Sequence, residues 1–181
     1  MNLRISLFAG PGAGKSTMAA AVFARLKTMH CNIELVQEYI KNWAYEDRPI
    51  KSFDQCYIFA KQMRSEDRLL QSGLELIVSD SPMFLQCYYA DKYNIEFAPE
   101  LFSIAEKFEK QYPAINIFLK RHDCEYQQNG RYETYEESLI VDTEIQKYLK
   151  SKNIPFVVAE NDVEHVVVLI LHRFKEMSIK K

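Results

Sequence analysis

The run Leu3-Arg4-Ile5-Ser6-Leu7-Phe8-Ala9-Gly10-Pro11-Gly12-Ala13-Gly14-Lys15-Ser16-Thr17 decides the fold. Its first six residues are apolar at nearly every position, which predicts a strand buried on both faces. Three glycines in five residues then remove side chains from a turn, so that peptide N–H groups can point at phosphate oxygens. Gly14, Lys15 and Ser16 fill the last three places of the phosphate-loop pattern, and Ala9 stands where its first glycine usually does. From Lys15 to Lys27, Met18, Val22 and Leu26 recur at helical spacing, so the loop should open onto a helix N-terminus, which favours anions. Gly10, Gly12, Ala13, Gly14, Lys15, Ser16 and Thr17 are therefore the expected cradle of a nucleoside triphosphate, taken as ATP. Lys15 should reach the β- and γ-phosphates, and the Ser16 hydroxyl should help bind Mg2+.

Working outward, strands alternate with helical stretches. Short apolar runs at Ile33–Val36, Leu74–Val78, Ile115–Leu119 and Phe156–Ala159 read as four further strands. Helices are expected over Glu38–Tyr45, Ser52–Ser72, Met83–Tyr93, Phe97–Tyr112, around Val141–Leu149, and from Asn161 to about Glu176. Ser52 with Gln55 fits a capping box, Asn161 with Glu164 could cap the last helix, and Gly73 and Pro113 are stop signals. Residues 178–181 read as a tail. The segment from Lys120 to Glu137 is polar and without apolar period, so it reads as a loop or lid. This alternation predicts an α/β fold with a parallel sheet flanked by helices, in one domain over residues 1–181.

Asp80 follows the strand Leu76-Ile77-Val78. A carboxylate at that place can hold the metal of a bound triphosphate; equally, Ser79-Asp80-Ser81-Pro82 could cap a helix. Asp80 is expected to be a metal ligand together with Ser16.

Composition sets limits. With 23 basic and 25 acidic residues, the net charge of −2 argues against a protein that coats nucleic acid. Cys31, Cys56, Cys87 and Cys124 form no Cys-x-x-Cys pair and read as reduced thiols. The longest late apolar run, Val166–Leu171, is far short of a membrane span, and no signal peptide is visible. A soluble, cytoplasmic protein is expected; its oligomeric state stays open.

With these residues in place, the chain resembles the P-loop kinases of nucleosides and nucleotides. Glu38 and Trp43, five apart just after strand two, are similar to a pair in the deoxynucleoside kinases. That likeness implies a general base at Glu38 and a tryptophan beside the acceptor's base at Trp43, although Tyr39 stands where that family usually has proline. Left to themselves, Glu38 reads as a helix-start acid and Trp43 as packing. Phe53 and Gln55 resemble that family's phenylalanine–glutamine element, with Asp54 interposed, which implies a base-reading role for Gln55. The stretch Asp123 to Gly130-Arg131, with Glu38-Tyr39, resembles the kinase domain that phosphorylates nicotinamide riboside. The likeness implies a lid at about residues 121–137, whose Arg121 and Arg131 close on the triphosphate, and a sheet order of 2-3-1-4-5. Arg64, four before Arg68 on the long helix, is a candidate for an acceptor phosphate or else a surface ion pair. Tyr88, Tyr89, Tyr93 and Tyr126 could stack on a base.

The implied activity is transfer of the γ-phosphoryl group of ATP to a nucleoside-like or nucleotide acceptor, with Lys15, Glu38, Asp80, Arg121 and Arg131 catalytic. One rival is a kinase acting on a hydroxyl within a polynucleotide, a modified base or a 5′ end. The other is a P-loop NTPase switch. No Asn-Lys-x-Asp guanine motif is present.

Overall fold

β1 (Leu3–Phe8) is buried along its whole length, because it lies at the centre of the sheet. In the computed structural model, which describes residues 2–51, 53–122, 126–127 and 129–179, the chain continues through α1 (Lys15–Thr28), β2 (Ile33–Val36), α2 (Lys41–Tyr45), α3 (Asp54–Gln71) and β3 (Leu76–Ser79). It goes on through α4 (Met83–Lys92), α5 (Ala98–Gln111), β4 (Ala114–Leu119), α6 (Tyr135–Ser151), β5 (Val157–Ala159) and α7 (Val163–Ile179). The sheet is parallel throughout, in the order β2-β3-β1-β4-β5, as the resemblance implies.

Two apolar layers sandwich the sheet. Ala19, Val22 and Leu26 of α1 meet Val166 and Ile170 of α7 on one face. On the other face, residues of α3, α4, α5 and α6, such as Phe59, Leu85, Leu101 and Ile145, pack with Phe8, Ile77 and Phe118 of the strands. All strand carboxyl ends point the same way, and at the point where the chain order reverses, the ends of β1 and β3 form a crevice for ligands.

Several expected boundaries shift. Glu38 is not helical; it lies in the connection after β2, and α2 begins only at Lys41. No side-chain cap holds that helix start. Within the segment read as loop, Thr134 and Glu137 form a reciprocal capping box that starts α6 at Tyr135. The last helix is capped by Asp162, whose Oδ1 accepts from the His165 N–H at 2.8 Å, because the Asn161 side chain is engaged elsewhere. α7 runs on to Ile179, through residues expected to be tail, and residues 180–181 lie outside the described residues. Ser52 of the expected capping box lies outside the described residues, as do Asp123, Cys124, Glu125 and Gln128; Gln55 turns inward instead of capping α3.

The apolar reading of β1 conceals Arg4, only 2% exposed. Its guanidinium pairs with Glu66 of α3 and Glu109 of α5 and donates to the Tyr112 carbonyl. A buried charge persists only when paired and hydrogen-bonded. No helix among the described residues is long and apolar enough to cross a membrane.

Candidate functional site

The turn after β1 is built around positive backbone angles: Gly12 has φ +72° and Gly14 φ +86°, a region that other residues enter at a cost. The carbonyls that this turn exposes are tied down by its surroundings. Lys15 Nζ donates to the Ala9 and Gly10 carbonyls, at 2.8 and 3.1 Å. Asn161, at the end of β5, donates from Nδ2 to the Ala13 carbonyl at 3.0 Å. Asp142 of α6 accepts the Gly10 N–H at 2.5 Å with one oxygen and Arg121 Nε at 2.7 Å with the other. Arg121 also donates to the Pro11 and Ser138 carbonyls, at 2.9 and 3.2 Å. The structure thus brings Arg121 to the loop, with its guanidinium half-buried between the loop and α6.

In front of the loop lies a cavity of about 270 Å³, close to the size class of small-molecule sites. Gly12, Gly14, Lys15, Ser16 and Thr17 line it together with Glu38, Gln55, Gln86, Tyr89 and Tyr93. Ile40, Ile58 and Leu85 supply apolar wall, and Arg131, Tyr132 and Glu133 reach over from the segment between β4 and α6. That segment rests on both rims. The Tyr126 ring lies against Gly12, with Arg131 over its face at 4.9 Å. Tyr45 of α2 packs on Gly130, and Tyr132 Oη donates to the Arg48 carbonyl at 2.7 Å.

The electrostatics follow from the crowding. Burial at the base of the cleft lowers the Lys15 ammonium's pKa; Glu38, Asp80 and Asp142 oppose that shift and Arg121 adds to it. Burial raises the Glu38 carboxyl; Lys15 opposes the shift, Asp80 adds to it, Lys41 opposes it and Glu133 adds to it. Burial also raises Glu133, whose side chain accepts from Tyr93 Oη at 3.3 Å. Asp80 is 3% exposed, and its Oδ1 is buried without a hydrogen-bond partner in the protein. It caps nothing: Pro82 occupies the N-cap of α4, with no side-chain cap.

The remaining expected residues divide. Gln55 reaches the cleft, where its Nε2 donates to the backbone and side-chain oxygens of Gln86 at 3.4 Å. Tyr89 and Tyr93 line it as a stacked pair, with ring centres 6.2 Å apart. Trp43 does not line it: the indole is buried in an aromatic group with Tyr39 and Tyr57, and Arg48 lies over its face at 3.4 Å. Arg64 is 68% exposed on α3 beside Asp67, away from the cleft. Tyr88 turns from the cleft to donate to Glu144. Asp142, Asn161, Glu133 and Gln86 escape a reading of the sequence. Each is a polar residue on a helix or loop with no motif of its own, and the first two meet the loop from more than a hundred residues away.

No curated protein matches the chain. Among solved structures it is similar to the NadR protein crystallised in complex with NR, with TM-score 0.73 and 15% identity. That match covers 96% of this chain and 51% of the other, so the chain spans about half the length of that protein. It is also similar to deoxyadenosine kinase from M. mycoides, solved with dCMP and a flexible dCDP as products. That match has TM-score 0.59 and 18% identity, and covers 96% and 99% of the two chains. At such identities these likenesses speak for the P-loop kinase-like fold. A family model described as an AAA domain matches residues 4–165, most of the chain, and on that match the chain belongs to the AAA domain family.

Proposed function

We propose that this protein is a phosphotransferase that moves the γ-phosphoryl group of ATP to a hydroxyl of a nucleoside-like acceptor. The observation that carries the reading is that one cleft is lined both by the phosphate loop with Lys15 and by a carboxylate, Glu38, in the company of amides and tyrosines. A loop that only hydrolysed nucleotide would have no use for such an acceptor wall.

In this reading the triphosphate lies along residues 10–17, its charge met by loop N–H groups, the start of α1 and Lys15. The present bonds of Lys15 Nζ to the Ala9 and Gly10 carbonyls are exchanged for phosphate oxygens. The acceptor lies between Tyr89, Tyr93, Gln55 and the apolar wall, with its hydroxyl at Glu38. As the acceptor oxygen bonds to the γ-phosphorus, the bond to the β,γ-bridging oxygen breaks, ADP leaves, and Glu38 takes the hydroxyl proton. Arg121 and Arg131 flank the loop and can neutralise charge on the group in transit.

The residues fit magnesium. Asp80 presents a buried carboxylate oxygen with no protein partner, and Ser16 and Thr17 line the cleft; hard oxygen donors of this kind suit that ion. Among the described residues no group of three His, Cys, Asp or Glu could hold a metal alone, so the phosphates would complete its shell. Bound there, the ion would supply charge neutralisation on the β- and γ-oxygens.

The test is ADP formation with magnesium across nucleosides, nucleoside monophosphates, nicotinamide riboside and DNA carrying modified bases or free 5′ hydroxyls. Turnover that depends on one small acceptor is the expected result. Turnover only with DNA would give the polynucleotide kinase reading, and steady release of phosphate without any acceptor would give the switch reading.

A further inference from the structure

The inward face of α3 carries polar side chains where a packed helix usually carries apolar ones. Gln55, Gln62 and Glu66, spaced seven and four apart, are buried among Ile58, Phe59 and Leu70. A methionine or leucine would fill such a site without a polar group to satisfy, so a wholly buried amide there needs partners. Gln62 finds them at two strand ends. Its Oε1 accepts from the Tyr39 N–H at 3.1 Å, and its Nε2 donates to Ser79 Oγ at 3.4 Å. Tyr39 follows Glu38, and Ser79 precedes Asp80.

The ladder between β2 and β3 ends at Val36 opposite Ser79. Beyond that pair no ladder pairing joins the segment with Glu38 to the segment with Asp80. Gln62 supplies the missing tie. On the other flank of Asp80, Ser81 Oγ accepts from Gln86 Nε2 at 2.6 Å, and Gln86 is in turn held by Gln55. Gln62 does not line the cleft, so it acts on the chemistry through its neighbours.

We propose that Gln62 is a positioning residue for phosphoryl transfer: its amide bridges the backbone beside Glu38 and the side chain beside Asp80, and so sets the separation of the two carboxylates. This rests on the phosphotransferase reading given above. Misplacing reacting groups by about 1 Å can cost up to roughly a hundredfold in rate. The phosphate loop makes no bond to Gln62, so the loop's own hold on the phosphates is spared.

The experiment is steady-state kinetics on Gln62→Met, which keeps the volume and deletes both bonds, with whichever acceptor the wild type phosphorylates. Leu70→Ala, buried on the same helix, serves as the control for destabilisation alone. The expected result is a fall in kcat of about tenfold or more for Gln62→Met, with KM for ATP at the wild-type value, while Leu70→Ala lowers Tm and keeps the wild-type kcat. A wild-type kcat in folded Gln62→Met overturns the inference. So does a loss that Leu70→Ala reproduces in kcat and KM alike. If Gln62→Met does not fold, Ser79→Ala, which removes one end of the bridge, is read the same way: lowered kcat at unchanged KM for ATP supports the inference, and wild-type kinetics overturn it. Absence of any acceptor-dependent turnover in the wild type would instead strike the phosphotransferase reading itself.

Discussion

Glu38→Gln should separate activity from stability. The Glu38 carboxyl is held above the ordinary carboxylate range chiefly by burial at the base of the cleft, with Lys15 pulling the other way. Its ionised form, which proton removal from an acceptor requires, is therefore the form that the fold tolerates less well. The sign follows from linkage. With the folded pKa above the unfolded one, the group's stabilising contribution is complete below the unfolded value and is lost as pH rises through the folded value. Glutamine has no charge to lose, so the variant escapes that loss. The Tm difference, variant minus wild type, should be near zero in acid and positive at neutral pH. Each tenfold difference in proton affinity between folded and unfolded chains is about 1.4 kcal/mol, or roughly 3–6 °C for a chain of this length. Removing the general base should meanwhile lower kcat by about 10²–10⁴, equivalent to roughly 2.7–5.5 kcal/mol of barrier. Thermal melts at pH 4 and pH 7.5, beside turnover with the preferred acceptor, check both halves. Full turnover in Glu38→Gln would remove Glu38 from the base role, and a variant less stable at neutral pH would refute the electrostatic argument.

Three other perturbations follow from the geometry. Gly12→Ala drives a Cβ into the Tyr126 ring, inside van der Waals contact, at a φ of +72°; backbone strain alone costs about 1–2 kcal/mol, so ATP affinity measured by calorimetry should fall about tenfold, with partial recovery on adding Tyr126→Ala. Asp142→Ala frees the Gly10 N–H and Arg121 together; charge-assisted bonds are worth about 1.5–3 kcal/mol each, so both Tm and ATP affinity should drop, and an unchanged affinity would show that α6 does not brace the loop. Arg4→Met leaves Glu66 buried without its cation, a loss of about 3–5 kcal/mol and roughly 10 °C in Tm, and Arg4→Met with Glu66→Leu should restore most of it.

What could be read in advance was what is local. The strand, three glycines, lysine and helix of residues 3–28 announce themselves because each step depends on its immediate neighbours. The five strands and their alternation with helices are legible for the same reason, as short runs that are mostly apolar. Arg4 hid in such a run, since its counter-charges Glu66 and Glu109 come from distant helices. Glu38 reads as helical in sequence because a strand end followed by Tyr39-Ile40-Lys41 offers no cap or breaker, whereas tertiary bonds such as that of Tyr39 N–H to Gln62 decide its backbone. Thr134 and Glu137 match a capping box in sequence, but the residues before them lack any period to mark a helix start. Asp142, Gln62 and Gln86 could not be found from spacing at all, and the spacing of Asn161 points to a helix cap instead of to the loop. Their partners lie on other elements, and only the folded sheet brings them together.

The claim at the centre is that one cleft holds donor and acceptor at once. Its most direct test follows the label of γ-32P-ATP with magnesium and the acceptor that best promotes turnover, in wild type and in Lys15→Ala. The account predicts that the label appears in the phosphorylated acceptor, one for each ADP formed, and that Lys15→Ala abolishes it. Label found only in inorganic phosphate, at a rate indifferent to acceptor, would contradict it.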